Sequence, residues 1–159
     1  MNLSLIRRNL LLWSVSSLKL PLLFYIRPRV VQYDEQVCRI QVKLNRRSRN
    51  HVGSMYFGAL AMGAELSIAA AAVFQIFATR KKVEFIFKSF KCDFLKRADA
   101  DVIFVSELNE HVEALVQRAI RGQGQRVEET FTGYAVTVKN PQEKIMLYQL
   151  TLSMKLRSS

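Results

Sequence analysis

The sequence predicts an α+β domain in which one antiparallel sheet wraps a long central helix. Three observations carry the prediction. Residues 55–79 form a proline-free stretch rich in Ala, Leu and Met that can sustain a helix of about 20 residues. That helix lacks a polar face, and a helix apolar all round has to be enclosed by protein. Period-two strand patterns lie on both sides of it and end in two long candidate strands joined by a tight turn.

Taken in order, residues 2–19 place Leu3, Ile6, Leu10, Trp13 and Leu20 at intervals that fit a helix stopping before Pro21. Residues 29–34 read as a short strand, and residues 36–44 alternate Cys38, Ile40, Val42 and Leu44 with polar neighbours, as a half-exposed strand does. A basic turn at 45–50 leads to Ser54, a plausible N-cap for the central helix. Residues 83–95, with Phe85 and Phe87, and residues 101–107 supply two more strands. Asn109 can cap a second helix to about Arg121, with Val112, Leu115, Val116 and Ala119 on one side, and Gly122 and Gly124 end it. Residues 125–139 and 144–157, joined by Asn140-Pro141-Gln142, read as an antiparallel hairpin. The reading is one domain over 1–159 with an N-terminal helical extension.

Composition narrows the function. Of 159 residues, 50% are hydrophobic and 23% charged, a balance that excludes a disordered chain. Cys38 and Cys92 provide neither a disulfide framework nor a CxxC zinc motif, and a reducing compartment is expected. The apolar stretch 10–15 after Arg7 and Arg8 mimics a signal peptide but is short and is soon interrupted by Lys19 and Pro21. No run reaches the roughly 18 apolar residues of a membrane span. A soluble, cytoplasmic protein is the expectation, with contact between the amphipathic N-terminus and a membrane as the alternative.

The net charge of +11 is uneven: residues 1–50 carry ten Lys or Arg against two acids, and residues 101–159 carry seven of each. Such a field favours an anionic partner, whether nucleic acid, lipid, a phosphorylated cofactor or an acidic carrier protein. No GxGxxG or GxxxxGKS loop is present, and no GxSxG elbow accompanies Ser54 or Ser67. His51 and His111 are too far apart in sequence for a zinc motif, so no metal and no cofactor are expected. The rings of Phe85, Phe87 and Phe90 lie among lysines, as in some RNA-binding sheets, but their alternation directs them to the core, and a nucleic-acid partner is disfavoured.

Two stretches carry a resemblance: residues 50–65, NHVGSMYFGALAMGAE, and residues 88–101, KSFKCDFLKRADAD. They resemble the hotdog-fold thioesterases, in particular the divergent DUF4442 branch, and the layout resembles that family over nearly the whole chain. The resemblance implies a hotdog fold whose subunits pair sheet edge to sheet edge, as a homodimer or a homotetramer, with two equivalent sites across the interface. It implies hydrolysis of an acyl-CoA or acyl-carrier-protein thioester, or, in an inactive relative, noncatalytic binding of an acyl thioester or lipid.

Carried over residue by residue, the resemblance makes Glu65 the general base or nucleophile, Asn50 the group that positions water or the carbonyl, and the Gly58 amide an oxyanion donor. Burial of Glu65 among Leu60, Met62, Leu66 and Ile68 is expected to raise its pKa. The alternatives are a structural acid at 65, a turn-forming Asn50 and close helix packing at Gly58. Where the family pattern has His-Gly-Gly, this chain has Tyr56-Phe57-Gly58. Tyr56 can donate a hydrogen bond but, with an ordinary pKa near 10, does not act as a base at neutral pH. Phe57 adds bulk where substrate would approach the backbone. His51, Tyr56 and Phe57 are candidate substrate contacts. Arg46, Arg47 and Arg49, with Lys88, Lys91, Lys96 and Arg97, are candidate holders of phosphates or of an acidic carrier, or ordinary solvated cations.

Overall fold

The computed structural model describes residues 3–107 and 109–157; the expected helix start at Asn2 lies outside them. In chain order the elements are α1 (Leu3–Lys19), α2 (Pro21–Ile26), β1 (Arg29–Tyr33), β2 (Cys38–Val42), α3 (Phe57–Thr79), β3 (Val83–Phe94), β4 (Val102–Ser106), α4 (Asn109–Arg121), β5 (Val127–Thr137) and β6 (Lys144–Leu156). Every expected helix and strand is present, and the structure adds α2. Pro21 does not merely end α1: it stands in the first turn of α2, where its missing N–H costs no hydrogen bond.

The six strands form one antiparallel sheet in the order β1-β2-β4-β5-β6-β3. The chain leaves β2, crosses one sheet face as α3 and returns as β3 at the far edge. This is the hotdog arrangement. Alternation along β6 directs Met146, Tyr148, Leu150, Leu152 and Met154 inward, where they are buried, while Leu147 and Gln149 face outward.

Helix α3 buries twelve residues, most of them Ala or other small side chains that let the sheet approach closely. A Cβ on Gly63 would collide with the ring of Phe104, which is itself fully buried on β4. The Ser67 hydroxyl is 2.8 Å from the Tyr148 hydroxyl, which donates to the Val105 carbonyl at 3.0 Å. This polar link ties the helix to the middle of the sheet and leaves neither buried hydroxyl unpaired. Among the described residues α3 is the one helix long and apolar enough to cross a membrane, but two thirds of its most apolar window (67%) is buried inside the fold.

Two corrections concern helix ends. Ser54 does not cap α3: the N-cap is Tyr56, without a side-chain cap bond, and the Ser54 side chain is held by Asn50. Asn109 is the first residue of α4, and its amide donates to the Asp34 carbonyl at 2.8 Å, clamping the helix to the β1–β2 turn. Helix α4 then buries Val112, Leu115, Val116 and Ala119 against α3 and the sheet.

The N-terminal extension is fastened to β1 by specific groups. Asn9 donates to the Val30 carbonyl and accepts from the Val30 amide, at 2.9 and 2.8 Å. Trp13 donates its indole N–H to the Pro28 carbonyl at 2.9 Å. The Arg8 guanidinium lies 3.9 Å from the centre of the Tyr33 ring and 5.3 Å from that of Phe74 on α3, a cation–π bridge between helix, strand and helix.

Gly63→Ala tests the close approach of α3 to the sheet. The added methyl has to displace a buried ring, a cost of about 1–3 kcal/mol that over most of this range exceeds the roughly 1 kcal/mol gained in helix propensity. Thermal or urea unfolding is expected to show net destabilisation.

Candidate functional site

Helix α3 carries one ionisable residue, Glu65, about a third of the way along its length. Glu65 opens into a cavity of about 460 Å³ between α1, α2, α3 and β3. The walls are otherwise almost wholly apolar, with Leu12, Val15 and Leu23 from the extension, Leu66, Ala69 and Val73 from α3, and Phe85 and Phe87 from β3. Glu65 makes no hydrogen bond or ion pair with any described residue. Burial raises its pKa above the ordinary carboxylate value, as its apolar helix neighbours led one to expect. Lys19 also lines the cavity but forms no ion pair with it.

The loop before α3 forms a second, separate cavity of about 310 Å³, lined by Asn50, His51, Tyr56, Phe57, Leu60, Phe94, Lys96 and Arg97. Asn50 is committed to its own loop. Its carbonyl oxygen accepts from the amides of Val52 and Ser54, each at 3.1 Å, and its NH₂ donates to the Ser54 hydroxyl at 3.0 Å. The left-handed turn at Gly53 (φ 85°) closes this loop. His51, Tyr56 and Phe57 are exposed at its rim, and the Tyr56 and Phe57 rings touch at 4.7 Å.

Gly58 stands in the first turn of α3, so its N–H has no partner in the helix, and no other described residue accepts from it. It is seven residues before Glu65, on the same side of the helix and about 10 Å away along the axis. Within one chain, a single carbonyl cannot be held by the Gly58 amide while a water on Glu65 attacks it, because attack needs about 3–3.5 Å.

The structure does not gather the candidate cations together. Arg46, Arg47 and Arg49 are exposed on the loop after β2, with Arg47 above the Tyr25 ring at 5.6 Å. Lys88 and Lys91 emerge on the outer sheet face, away from α3. Lys88 pairs with Glu128 at 2.8 Å, and Lys91 lines a surface depression with Glu107, Tyr134 and Lys144. Lys96, at the Asn50 cavity, is bound by Glu143, and Arg97 is the cation of that cavity that has no partner among the described residues.

Neither thiol is activated: burial pushes Cys38 up to about 12 and also raises Cys92. Among the described residues no group of His, Cys, Asp and Glu is placed to hold a metal ion. His111, 3.3 Å from Glu129, stands on the exposed side of α4.

A family model described as a domain of unknown function, DUF4442, matches residues 8–153. No curated protein matches the chain significantly. Among solved structures, a protein of unknown function from Chlorobaculum tepidum superposes with a TM-score of 0.80 at 10% identity, covering 98% of this chain and 100% of that one. A thioesterase candidate from Shewanella oneidensis gives 0.78 at 8% identity, with 94% and 98% covered. A thioesterase from Haemophilus influenzae gives 0.66 at 13% identity, with 98% and 93% covered. At these identities the likeness is one of fold.

The position of Glu65 predicts a pH-dependent cost. Its folded pKa lies above the unfolded one, so between the two values the folded chain holds more proton than the unfolded chain and stability falls as pH rises. Glu65→Gln removes that penalty. Its melting temperature is expected to exceed that of the parent at pH 7, with the difference shrinking toward pH 4.

Proposed function

The chain belongs to the DUF4442 family, and from that premise we propose that it hydrolyses acyl thioesters of coenzyme A or of an acyl carrier protein. The observation that carries the reading is Glu65, an unpartnered carboxylate set in an apolar cavity. A thioester hydrolase needs a base that is not already neutralised by a cation, next to room for an acyl chain. Glu65 takes a proton from water as the water oxygen attacks the acyl carbon, and returns it to the departing thiolate. Direct attack by the carboxylate, with a mixed anhydride hydrolysed in a second step, uses the same residue.

The oxyanion donor in this reading is the Gly58 amide of a second subunit. β3 is an unpaired sheet edge, and its inward-facing Phe90 and Phe94, together with Tyr56 and Phe57, expose aromatic surface beside that edge. Antiparallel pairing of β3 with its copy about the strand midpoint sets Phe94 of one subunit, in the Asn50 cavity, against the partner's Val83 in the Glu65 cavity. Each site then draws Glu65 from one subunit and Asn50 and Gly58 from the other, which spans the gap that one chain leaves open. Asn50 holds the shape of its loop, Tyr56, Phe57 and His51 bound the entrance, and Arg97 with Arg46, Arg47 and Arg49 offers charge to the carrier's phosphates. Lys88 and Lys91 stand outside this arrangement.

One observation favours a second reading, a noncatalytic acyl-thioester or lipid binder. The polar atoms of the Asn50 side chain are already engaged by its loop, and Phe57 replaces a glycine of the family pattern.

Thiol release from short, long and aromatic acyl-CoAs separates the readings. Native protein is expected to turn over a subset of them, and Glu65→Gln to lose about 10²- to 10⁴-fold while remaining folded and dimeric. The acid limb of the rate profile is expected above the ordinary glutamate range, because the base works ionised and burial raises its pKa. Binding without turnover on acyl-CoA and carrier-protein thioesters alike would establish the second reading.

A further inference from the structure

We propose that the α1–α2 corner docks this protein on an anionic membrane surface. The proposal goes beyond thioester hydrolysis and does not depend on it. Within eight residues of chain, Leu18, Leu20, Leu22, Phe24 and Tyr25 all present exposed apolar side chains, and Leu18 and Leu22 are 83% and 73% exposed. Residues of this size at such exposure, gathered at a bend between two helices, leave apolar surface that calls for a partner.

The charge around the patch selects that partner. The first acidic residue in the sequence is Asp34, whereas Lys19 and Arg27 flank the corner and the Arg47 guanidinium lies 5.6 Å from the Tyr25 ring. Exposed leucines and aromatic rings flanked by Lys19, Arg27 and Arg47 are what an amphipathic segment needs to settle among anionic headgroups: apolar side chains enter the acyl boundary and cations stay with the phosphates. A second copy of the chain is a poor occupant, since a two-fold contact would set the same cations against each other. The shape also favours a bilayer, because Leu18 and Leu22 project from the surface, and a fluid interface accepts a convex corner that a folded partner would have to match with a groove.

The corner also forms part of the Glu65 cavity. Lys19 and Leu20 line that cavity, so docking would bring its α1–α2 wall against the membrane. The clasp of Asn9, Trp13 and Arg8 on β1 and α3 holds the extension in place without using the exposed leucines.

The test is flotation of the full chain with vesicles of phosphatidylcholine alone and of phosphatidylcholine with about one third phosphatidylglycerol. Binding is expected on the anionic vesicles and not on the neutral ones, weakening several-fold as NaCl rises from about 0.1 to about 0.5 M. Leu18→Ser/Leu22→Ser, neither in a cavity wall, is expected to reduce binding about tenfold or more with an unchanged melting curve. Arg27→Asn/Arg47→Gln is a second variant that leaves the apolar residues intact and places Asn where the left-handed backbone tolerates it; it is expected to reduce binding to the anionic vesicles in the same direction. No binding to anionic vesicles, equal binding to both kinds, or binding unchanged in both variants would overturn the proposal. Concentration-dependent self-association abolished by Leu18→Ser/Leu22→Ser, or capture of an acidic carrier protein by the same corner without vesicle binding, would overturn it in favour of a protein partner.

Discussion

The enclosure of α3 is the constraint on which the rest of the structure depends. Twenty-three residues with a single charge among them cannot present a face to water at an acceptable cost, so the helix requires cover on every side. The sheet supplies most of it. Its antiparallel strands place a continuous inward face of Ile40, Phe104, Phe131, Leu150 and Leu152 against the helix, and the small residues of α3 let that face come close. α4 covers another flank, and the helical extension covers what remains, held there by side-chain bonds to β1 rather than by a large core of its own.

The candidate site is a consequence of that arrangement. Where the extension and β3 meet α3, packing is incomplete, and the gap holds the one ionisable group of the helix. A carboxylate there has lost much of its water and gained no cation, which is unfavourable for folding and useful for proton transfer. The same extension explains the exposed corner: one side of α1 and α2 faces the cavity, and the other is left to solvent with its leucines uncovered. Cover, site and surface patch are three aspects of one helical addition to the sheet.

Much of this was legible in the sequence. The long apolar helix, the alternating strands, the amphipathic α4 and the unusual position of Glu65 follow from periodicity, which depends on local geometry. β3 shows where that reasoning stops. Val83, Phe85 and Phe87 face inward on odd positions, and after an irregularity between Phe87 and Ser89 the inward set becomes Phe90, Cys92 and Phe94. The bulge keeps every ring of the strand on the helix side and sends Lys88 and Lys91 to the outer face. α2 is not legible because a proline marks the end of a helix and equally serves in the first turn of the next, and Ser54 carries the residue type of a cap while its bonds to Asn50, which depend on how the loop closes, are not written in local sequence.

The sequence by itself determined every element but α2, the apolar faces and the identity of the buried acid, because spacings of two and 3.6 residues report which side chains share a side. Only the tertiary structure decided that Glu65 and Asn50 open into different cavities, that the extension roofs one of them, and that the Gly58 amide lies two helical turns from the carboxylate. Those are distances between elements. They are set by how side-chain volumes fit when helices and sheet close around α3, and no local periodicity contains that information.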